Sequence, residues 1–235
     1  MKPLFVTGTD TGVGKTRVAS ALLRAYARRG TSVAGMKPVA SGCAETTEGL
    51  RNDDALALRA ASSVRLRYDD VNPYAFAPAI APHIAAEEEG RVIELAVLEH
   101  AYRRLALLAG RVVIEGAGGW LTPLGPQLTL ADFAALVDAD VVLVVGLRLG
   151  CLNHALLTAQ SIRAAGLDLA GWVGNAVEPA FERADANLAT LRRRLAAPCL
   201  GVLAYAPAAT ADELGGALRV DALQAKGVPD RRRDS

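Results

Sequence analysis

The stretch Leu4-Phe5-Val6-Thr7-Gly8-Thr9-Asp10-Thr11-Gly12-Val13-Gly14-Lys15-Thr16 constrains the fold more than any other part of the chain. It begins as a short apolar strand and ends in a helical pattern starting near Lys15, leaving only a tight glycine-rich loop to join them. Gly8, Gly12 and Gly14 let backbone N–H groups crowd around an anion at the positive end of the following helix. The spacing predicts that Lys15 reaches the outer phosphates of a nucleotide and that the Thr16 hydroxyl holds magnesium. The first glycine, Gly8, sits one place earlier than in the strict pattern of Gly, four residues, Gly-Lys-Ser/Thr, and Thr9 stands where glycine is usual. A dinucleotide-binding turn does not fit, because Gly12-Val13-Gly14-Lys15-Thr16-Arg17 lacks the third glycine that lets such a helix pack on its strand. The expected ligand is a nucleoside triphosphate.

The 235 residues suit a single α/β domain, expected to span residues 1–225, with 226–235 a flexible, solvated tail ending Arg231-Arg232-Arg233-Asp234-Ser235. Half the residues are apolar but only 5% are aromatic, so the core must be built from Ala, Val and Leu. That composition suits a parallel sheet covered by alanine-rich helices. A net charge of +1 gives no field for nucleic acid or an anionic membrane. Cys43, Cys151 and Cys199 are too few and too scattered for a disulfide framework or a zinc site. Apolar runs such as Val141–Val145 have strand length, well short of a membrane span. The phosphate loop starts by residue 8, so no removable leader is expected, and the expected location is the cytoplasm.

Strands are predicted at Leu4–Thr7, Ser32–Met36, Arg111–Ile114, Val141–Val145, Leu169–Val173 and Leu200–Leu203. Helical spacing of apolar residues runs through Thr16–Arg29, Glu94–Leu108, Leu130–Val137, His154–Ala165 and Phe181–Leu195. Gly30, Gly110 and Gly166 are expected to stop three of these helices. The alternation predicts an α/β fold of three layers, a mostly parallel sheet flanked by helices, of the P-loop NTPase kind. Sites should lie at the carboxyl ends of the strands. Residues 40–90 are less regular, with a helix at Asp54–Ala61 and a proline-punctuated stretch from Asn72 to Pro82. The pattern also weakens after Pro207.

Four further groups bear on chemistry. Arg111-Val112-Val113-Ile114-Glu115 ends a buried strand in a carboxylate, and the glycines after it permit close approach to a ligand. Beside a phosphate loop, Glu115 is well placed to bind magnesium, which commonly takes one or two protein carboxylates. Lys37 leaves the second strand, expected beside the first, and two lysines at one site suit phosphoryl transfer; alone, it reads more readily as a surface lysine. Asp54 sits in Arg51-Asn52-Asp53-Asp54, which also reads as simple helix capping. Gly150-Cys151-Leu152-Asn153 opens a helix and offers a second anion-binding terminus, or plain capping by Asn153. His83, His100 and His154 lack ligand spacing, and the cysteines read as packed thiols.

These pieces together resemble the dethiobiotin synthetase family. The resemblance is carried by Val6–Thr11 with Gly14-Lys15-Thr16, Lys37-Pro38-Val39-Ala40-Ser41-Gly42, Gly49-Leu50-Arg51-Asn52 with Asp54-Ala55, Val71-Asn72-Pro73-Tyr74, Pro82-His83-Ile84, Glu115-Gly116-Ala117-Gly118-Gly119-Trp120, Leu149-Gly150-Cys151 with Asn153-His154-Ala155, and Leu169-Ala170-Gly171-Trp172. It covers about residues 4–205 in family order. The segments around Lys37 and Glu115 are specific to the enzyme, whereas the phosphate loop is shared by many ATPases.

The resemblance implies a homodimer that makes dethiobiotin from 7,8-diaminononanoate, carbon dioxide or bicarbonate, and ATP with magnesium. Lys37 and Lys15 would neutralise charge, while Thr11 and the amides of Gly12, Val13 and Gly14 hold phosphates. Thr16, Asp54 and Glu115 would hold magnesium. Ser41 would touch the diamine, and Gly116, Ala117 and Gly118 would border nucleotide and substrate. Asn175, Ala204, Tyr205 and Ala206 would surround the base. The helix start at Gly150, Cys151, Leu152 and Asn153 would receive the substrate carboxylate from the partner subunit. Departures fall at the base: Ala176 follows Asn175 where aspartate is common, Ala204-Tyr205-Ala206 replaces a Pro-Trp-Leu-like segment, and no counterpart of a base-contacting glutamate stands out near Asp212-Glu213. Looser nucleotide selectivity is therefore expected.

Two rivals share the loop. A switch ATPase of the partition and cell-division-positioning type usually carries a lysine about where Asp10 stands. An amidotransferase-type synthetase of the cobyrinate group usually carries an extra glutaminase domain, for which this chain has no room.

Overall fold

A computed structural model describes residues 1–223. The chain runs β1 (Leu4–Gly8), α1 (Lys15–Ala27) and β2 (Val33–Met36) into an insertion of short elements. These are β3 (Val39–Ala40), β4 (Ala44–Thr46), β5 (Gly49–Arg51), α2 (Asp53–Ala61), α3 (Tyr68–Val71), β6 (Tyr74–Ala75) and α4 (Pro82–Glu88). The chain returns through α5 (Leu95–Leu108), β7 (Arg111–Glu115), α6 (Leu130–Leu136) and β8 (Asp140–Leu147). It continues with α7 (Cys151–Ala164), β9 (Leu169–Ala176), α8 (Ala184–Arg194), β10 (Cys199–Leu203) and α9 (Ala211–Gly216), ending in a 3-10 turn at Val220–Leu223.

Six strands form one parallel sheet in the order β10-β9-β8-β1-β7-β2. All but the edge strand β10 are buried from both faces, which is why they read as continuous apolar runs and not as alternating patterns. Side chains of α1 and α9, including Leu22, Leu23, Tyr26 and Leu214, form the core on one face. Side chains of α5 to α8, including Leu98, Phe133, Ile162 and Leu191, build the other. The three-layer α/β architecture is as expected, and among the described residues no helix is long and apolar enough to cross a membrane.

The second strand does not lie beside the first. β7 stands between them, with Leu4 opposite Val113 on one side and Val33 opposite Arg111 on the other. This order carries Glu115 to the centre of the site and Lys37 to its far side.

Other expectations change in detail. Gly30 and Gly166 adopt the left-handed conformation that ends helices. Gly110 does not: α5 ends at Leu108, and Ala109 is already extended. The 40–90 insertion holds two small two-stranded sheets, β3 with β6 and β4 with β5, whose strands are too short to leave a periodic signal. After Pro207 the chain forms α9, started by reciprocal Thr210–Glu213 capping bonds and packed on α1. The expected domain end at 225 and the tail at 226–235 lie outside the described residues.

Candidate active site

The loop after β1 takes its shape from glycine and from one buried amide. Gly12 and Gly14 have φ of +73° and +90°, a region that side chains disfavour. At Gly14 a side chain would also have no room, since a Cβ would lie 2.3 Å from Asn175 Nδ2. Asn175, buried at the end of β9, donates that nitrogen to the Val13 carbonyl at 2.9 Å and so fixes the loop from below. Gly14 caps α1 without any side-chain bond, leaving the first-turn N–H groups for a ligand. Lys15 Nζ donates to the Asp10 carbonyl at 2.9 Å. Burial, reinforced by nearby Lys37, lowers its pKa to about 8.

The centre is a polar cluster drawn from four segments. Strand register aligns Val6 with Glu115 and Met36 with Ile114, so the ends of β1, β7 and β2 converge. Thr16 Oγ1 contacts Asp54 Oδ1 at 2.7 Å and Glu115 Oε1 at 2.9 Å. Lys37 Nζ donates to Asp54 Oδ2 at 2.8 Å and Glu115 Oε1 at 2.6 Å. The side chains of Lys37 and Glu115 are 5% and 1% exposed, against 41% for Asp54, so only the aspartate shares its charge with solvent. Burial opposes the Lys37 charge, but Glu115 and Asp54 overcome it and raise its pKa. Burial likewise works against the Asp54 carboxylate, yet Lys37 and Thr16 hold its pKa below the usual range. Burial pushes Glu115 upward, against the pull of Lys37.

Asp54 is available for this cluster because Asn52 does the capping. The Asn52 side chain accepts the Ala55 N–H, leaving Asp54 free in the first turn of α2. Among the described residues no three His, Cys, Asp or Glu side chains converge. Two carboxylates and a hydroxyl do, and Glu115 Oε2 is buried without a hydrogen-bond partner.

A cleft of about 820 Å³ opens over the cluster and brings together Thr11, Gly12, Gly14, Lys15, Thr16, Lys37, Ser41, Asp54, Glu115, Ala117 and Gly118. Ser41 Oγ is buried there without a partner. Further walls come from Ala79–Pro82, Thr122 and Pro123, which reading the sequence did not single out as site residues. Pro82 fell within the family-like segments, whereas Thr122 lies in an irregular turn with no local signal. Its hydroxyl occupies the space that a side chain at Gly118 would need, 2.6 Å from such a Cβ.

Other expected site residues lie off this cleft. Gly116 packs on the Phe5 ring, and Val13 is buried beneath the loop. Ala204 and Ala206 offer their carbonyls to Arg17 of α1 at 3.4 and 2.7 Å, and Tyr205 is half exposed. Glu213 is engaged in the cap of α9 with Thr210. Gly150, Cys151, Leu152 and Asn153 do not line the cleft either. Asn153 caps nothing: Gly150 in left-handed conformation starts α7, which begins at Cys151, three residues earlier than the apolar spacing indicated. Arg148, just before this turn, reaches back to Asp10 of the phosphate loop at 2.5 Å.

A family model described as AAA domain matches residues 2–213. An ATP-dependent dethiobiotin synthetase BioD of Pseudomonas aeruginosa (strain UCBPP-PA14) is 57% identical over 202 residues, covering 86% of this chain and 89% of its own. The protein of that name from Yersinia pestis bv. Antiqua (strain Angola) is 52% identical over 230 residues, covering 95% and 96%. That of Chromohalobacter salexigens is 54% identical over 221 residues, covering 90% and 93%. With its phosphate loop, its Lys37–Asp54–Glu115 cluster and these relatives, the chain belongs to the ATP-dependent dethiobiotin synthetase family.

Proposed function

We propose that the cleft closes the ureido ring of dethiobiotin from 7,8-diaminononanoate, carbon dioxide and ATP, releasing ADP and phosphate. One amine of the diamine adds to carbon dioxide, losing a proton and giving a carbamate. A carbamate oxygen attacks the γ-phosphorus and breaks its bond to the β,γ-bridging oxygen, giving a carbamic-phosphoric anhydride and ADP. The second amine attacks the carbonyl carbon, expels phosphate and completes the ring.

Two anions must meet in this sequence, so placement and charge neutralisation supply most of the rate. Lys15 and the loop amides of Gly12 to Gly14, with Thr11, are proposed to hold the phosphates. Lys37 is proposed to turn from the carboxylates toward the carbamate and the transferring phosphoryl group. Ser41 is proposed to hold the diamine, with Ala117 and Gly118 bordering it. Magnesium is the proposed metal, held by Thr16, Asp54 and Glu115, because hard oxygen donors with only two carboxylates suit that ion. When bound it would neutralise charge on the phosphate oxygens. Asn175 and residues 204–206 are proposed to surround the base.

The proposed assembly is a homodimer in which Gly150–Asn153 of each subunit receives the carboxylate of substrate seated in the other. In support, that helix start is turned to solvent, with Asn153 exposed and Leu149 at 92% exposure. The proposed location is the cytoplasm. The carrying observation is the convergence of Thr16, Lys37, Asp54 and Glu115 at the mouth of a phosphate loop. Incubating the protein with the diamine, bicarbonate, magnesium and ATP should yield dethiobiotin by mass, with one ADP per product. A folded protein that gives no product under these conditions would end this reading.

A further inference from the structure

Lys37 and Asp54 touch at 2.8 Å but come from different elements, so something must fix the separation of those elements. Tyr68, buried in α3, stands between them. Its hydroxyl accepts the backbone N–H of Asn52 at 2.7 Å and donates to Asn72 Oδ1 at 3.1 Å. Asn52 is the cap from which α2 and Asp54 begin. Asn72 passes the constraint in the other direction, donating Nδ2 to the Lys37 carbonyl at 2.8 Å and to the Tyr74 carbonyl at 3.0 Å. The Lys37 N–H is held as well, by the Val71 carbonyl at 2.7 Å.

We propose that Tyr68, acting with Asn72, is a positioning residue for phosphoryl transfer: one phenolic oxygen joins the cap that aims Asp54 to the amide that clamps the Lys37 backbone. This rests on the reading of Lys37 and Asp54 given above. The ring of Tyr68 fills space under the Arg51 guanidinium, 4.2 Å away, and phenylalanine would fill that space equally well. The hydroxyl does something the ring does not. Its two partners are the backbone donor of one chemistry-bearing segment and the side-chain acceptor of a residue gripping the other. Asn72 uses Oδ1 for Tyr68 and both protons of Nδ2 for carbonyls, so its amide has a single favourable orientation. Removing the hydroxyl leaves the Asn52 N–H and Asn72 Oδ1 without their partner and takes away one of the three bonds that fix that amide. Charge-stabilising groups work only when held in place before the reaction, so a small release should slow the chemistry more than binding.

The test compares wild type with Tyr68→Phe, Asn72→Ser and the double variant, measuring kcat, the KM values for diamine and ATP, and ADP affinity. Tyr68→Phe should lower kcat on the order of ten- to hundredfold, the usual range for groups that orient a first layer of ligands. Both KM values and ADP affinity should stay within about threefold, because neither Tyr68 nor Asn72 hydrogen-bonds to the phosphate loop. The losses in the two single variants should not multiply in the double variant, since both break one linkage. If Tyr68→Phe does not fold, Asn72→Ser is judged by the same split between kcat and KM. A kcat within twofold of wild type, a loss shared equally by kcat and ADP affinity, or fully multiplicative losses would overturn the proposal. Wild type that makes no dethiobiotin would instead overturn the reading of the site, and this inference with it.

Discussion

The Lys37 ammonium lies 2.6 Å from the Glu115 carboxylate, and both side chains are almost wholly withdrawn from water. Two buried charges this close compensate each other, and removing either leaves the other exposed to the full cost of desolvation. The pair joins β2 to β7 at the mouth of the site, and Asp54 and Thr16 complete the contact. Lys37 is thus held charged by the two carboxylates.

Lys37→Gln should reduce turnover on the order of a hundred- to thousandfold, the range for loss of one strong electrostatic donor. ADP should still bind, because Lys15 and the loop amides are intact. Single-turnover phosphoryl transfer and ADP calorimetry separate the two effects. A transfer rate within threefold of wild type would remove Lys37 from the chemistry.

Glu115→Gln should raise the magnesium concentration needed for half-maximal activity while leaving the fold in place. Glutamine keeps the shape and the contact to Thr16 but brings no charge to the metal. A magnesium titration superimposable on wild type would reduce Glu115 to a turn residue.

Binding of metal-free ADP should take up a proton above pH 8. In the free protein burial lowers the Lys15 pKa to about 8, so the ammonium is increasingly lost above that pH. A bound phosphate favours the charged form and restores the proton. Below about pH 7 Lys15 is charged in both states and contributes no uptake, so the linkage appears only as pH rises through 8. Calorimetry at pH 8.5 in buffers of different ionisation enthalpy measures it directly. A heat independent of buffer, or one showing proton release, would contradict this account.

Nucleotide selectivity should be looser than is usual for the family. Around the expected base site Glu213 is tied into a helix cap, and the Ala204 and Ala206 carbonyls face Arg17. A site rejects the wrong base strongly only when its own polar groups would be left unpaired. Competition of ATP, CTP and GTP at equal concentration is the measurement, and a preference for ATP above about a thousandfold would count against it.

Two inactive variants should restore one another if substrate bridges two subunits. Lys37→Ala removes a charge from the cleft, and Asn153→Pro disturbs the start of α7, which lies off the cleft of its own subunit. In a mixed dimer one site would carry neither defect. Activity in the mixture, after subunit exchange shown by labelled protein, supports the shared site; exchange without activity means that each chain builds its site alone.

Much of the fold was legible because buried parallel strands leave apolar runs that punctuation by glycine bounds sharply. All six strands of the large sheet fall within a few residues of the runs that marked them. Their lateral order was less legible: nothing local at Val33–Met36 says that β7 will insert beside it, since that pairing is set by contacts distant in sequence. Lys15, Thr16 and Glu115 could be read from the segments that carry them. Lys37 and Asp54 were ambiguous on local grounds and stood out only through the family resemblance, because a lone lysine and a helix-start aspartate have ordinary explanations. Tyr68 and Thr122 carry no signal of this kind, as their contributions are single contacts to residues elsewhere in the chain.

The insertion of β7 between β1 and β2 also sets the order in which the molecule can become competent. Lys37 and Glu115 are separated by 78 residues. During synthesis at roughly 5–20 residues per second, Lys37 therefore waits on the order of 4–16 s before Glu115 is even made. Through that interval β1 and β2 have no strand to pair with, since β1 pairs with β7 and β8 and β2 with β7 alone. A nascent chain halted before residue 115 thus owns the recognisable loop without the carboxylate that Thr16 and Lys37 share. Ureido-ring synthesis is in this sense a late reporter, silent until the middle of the sheet has closed.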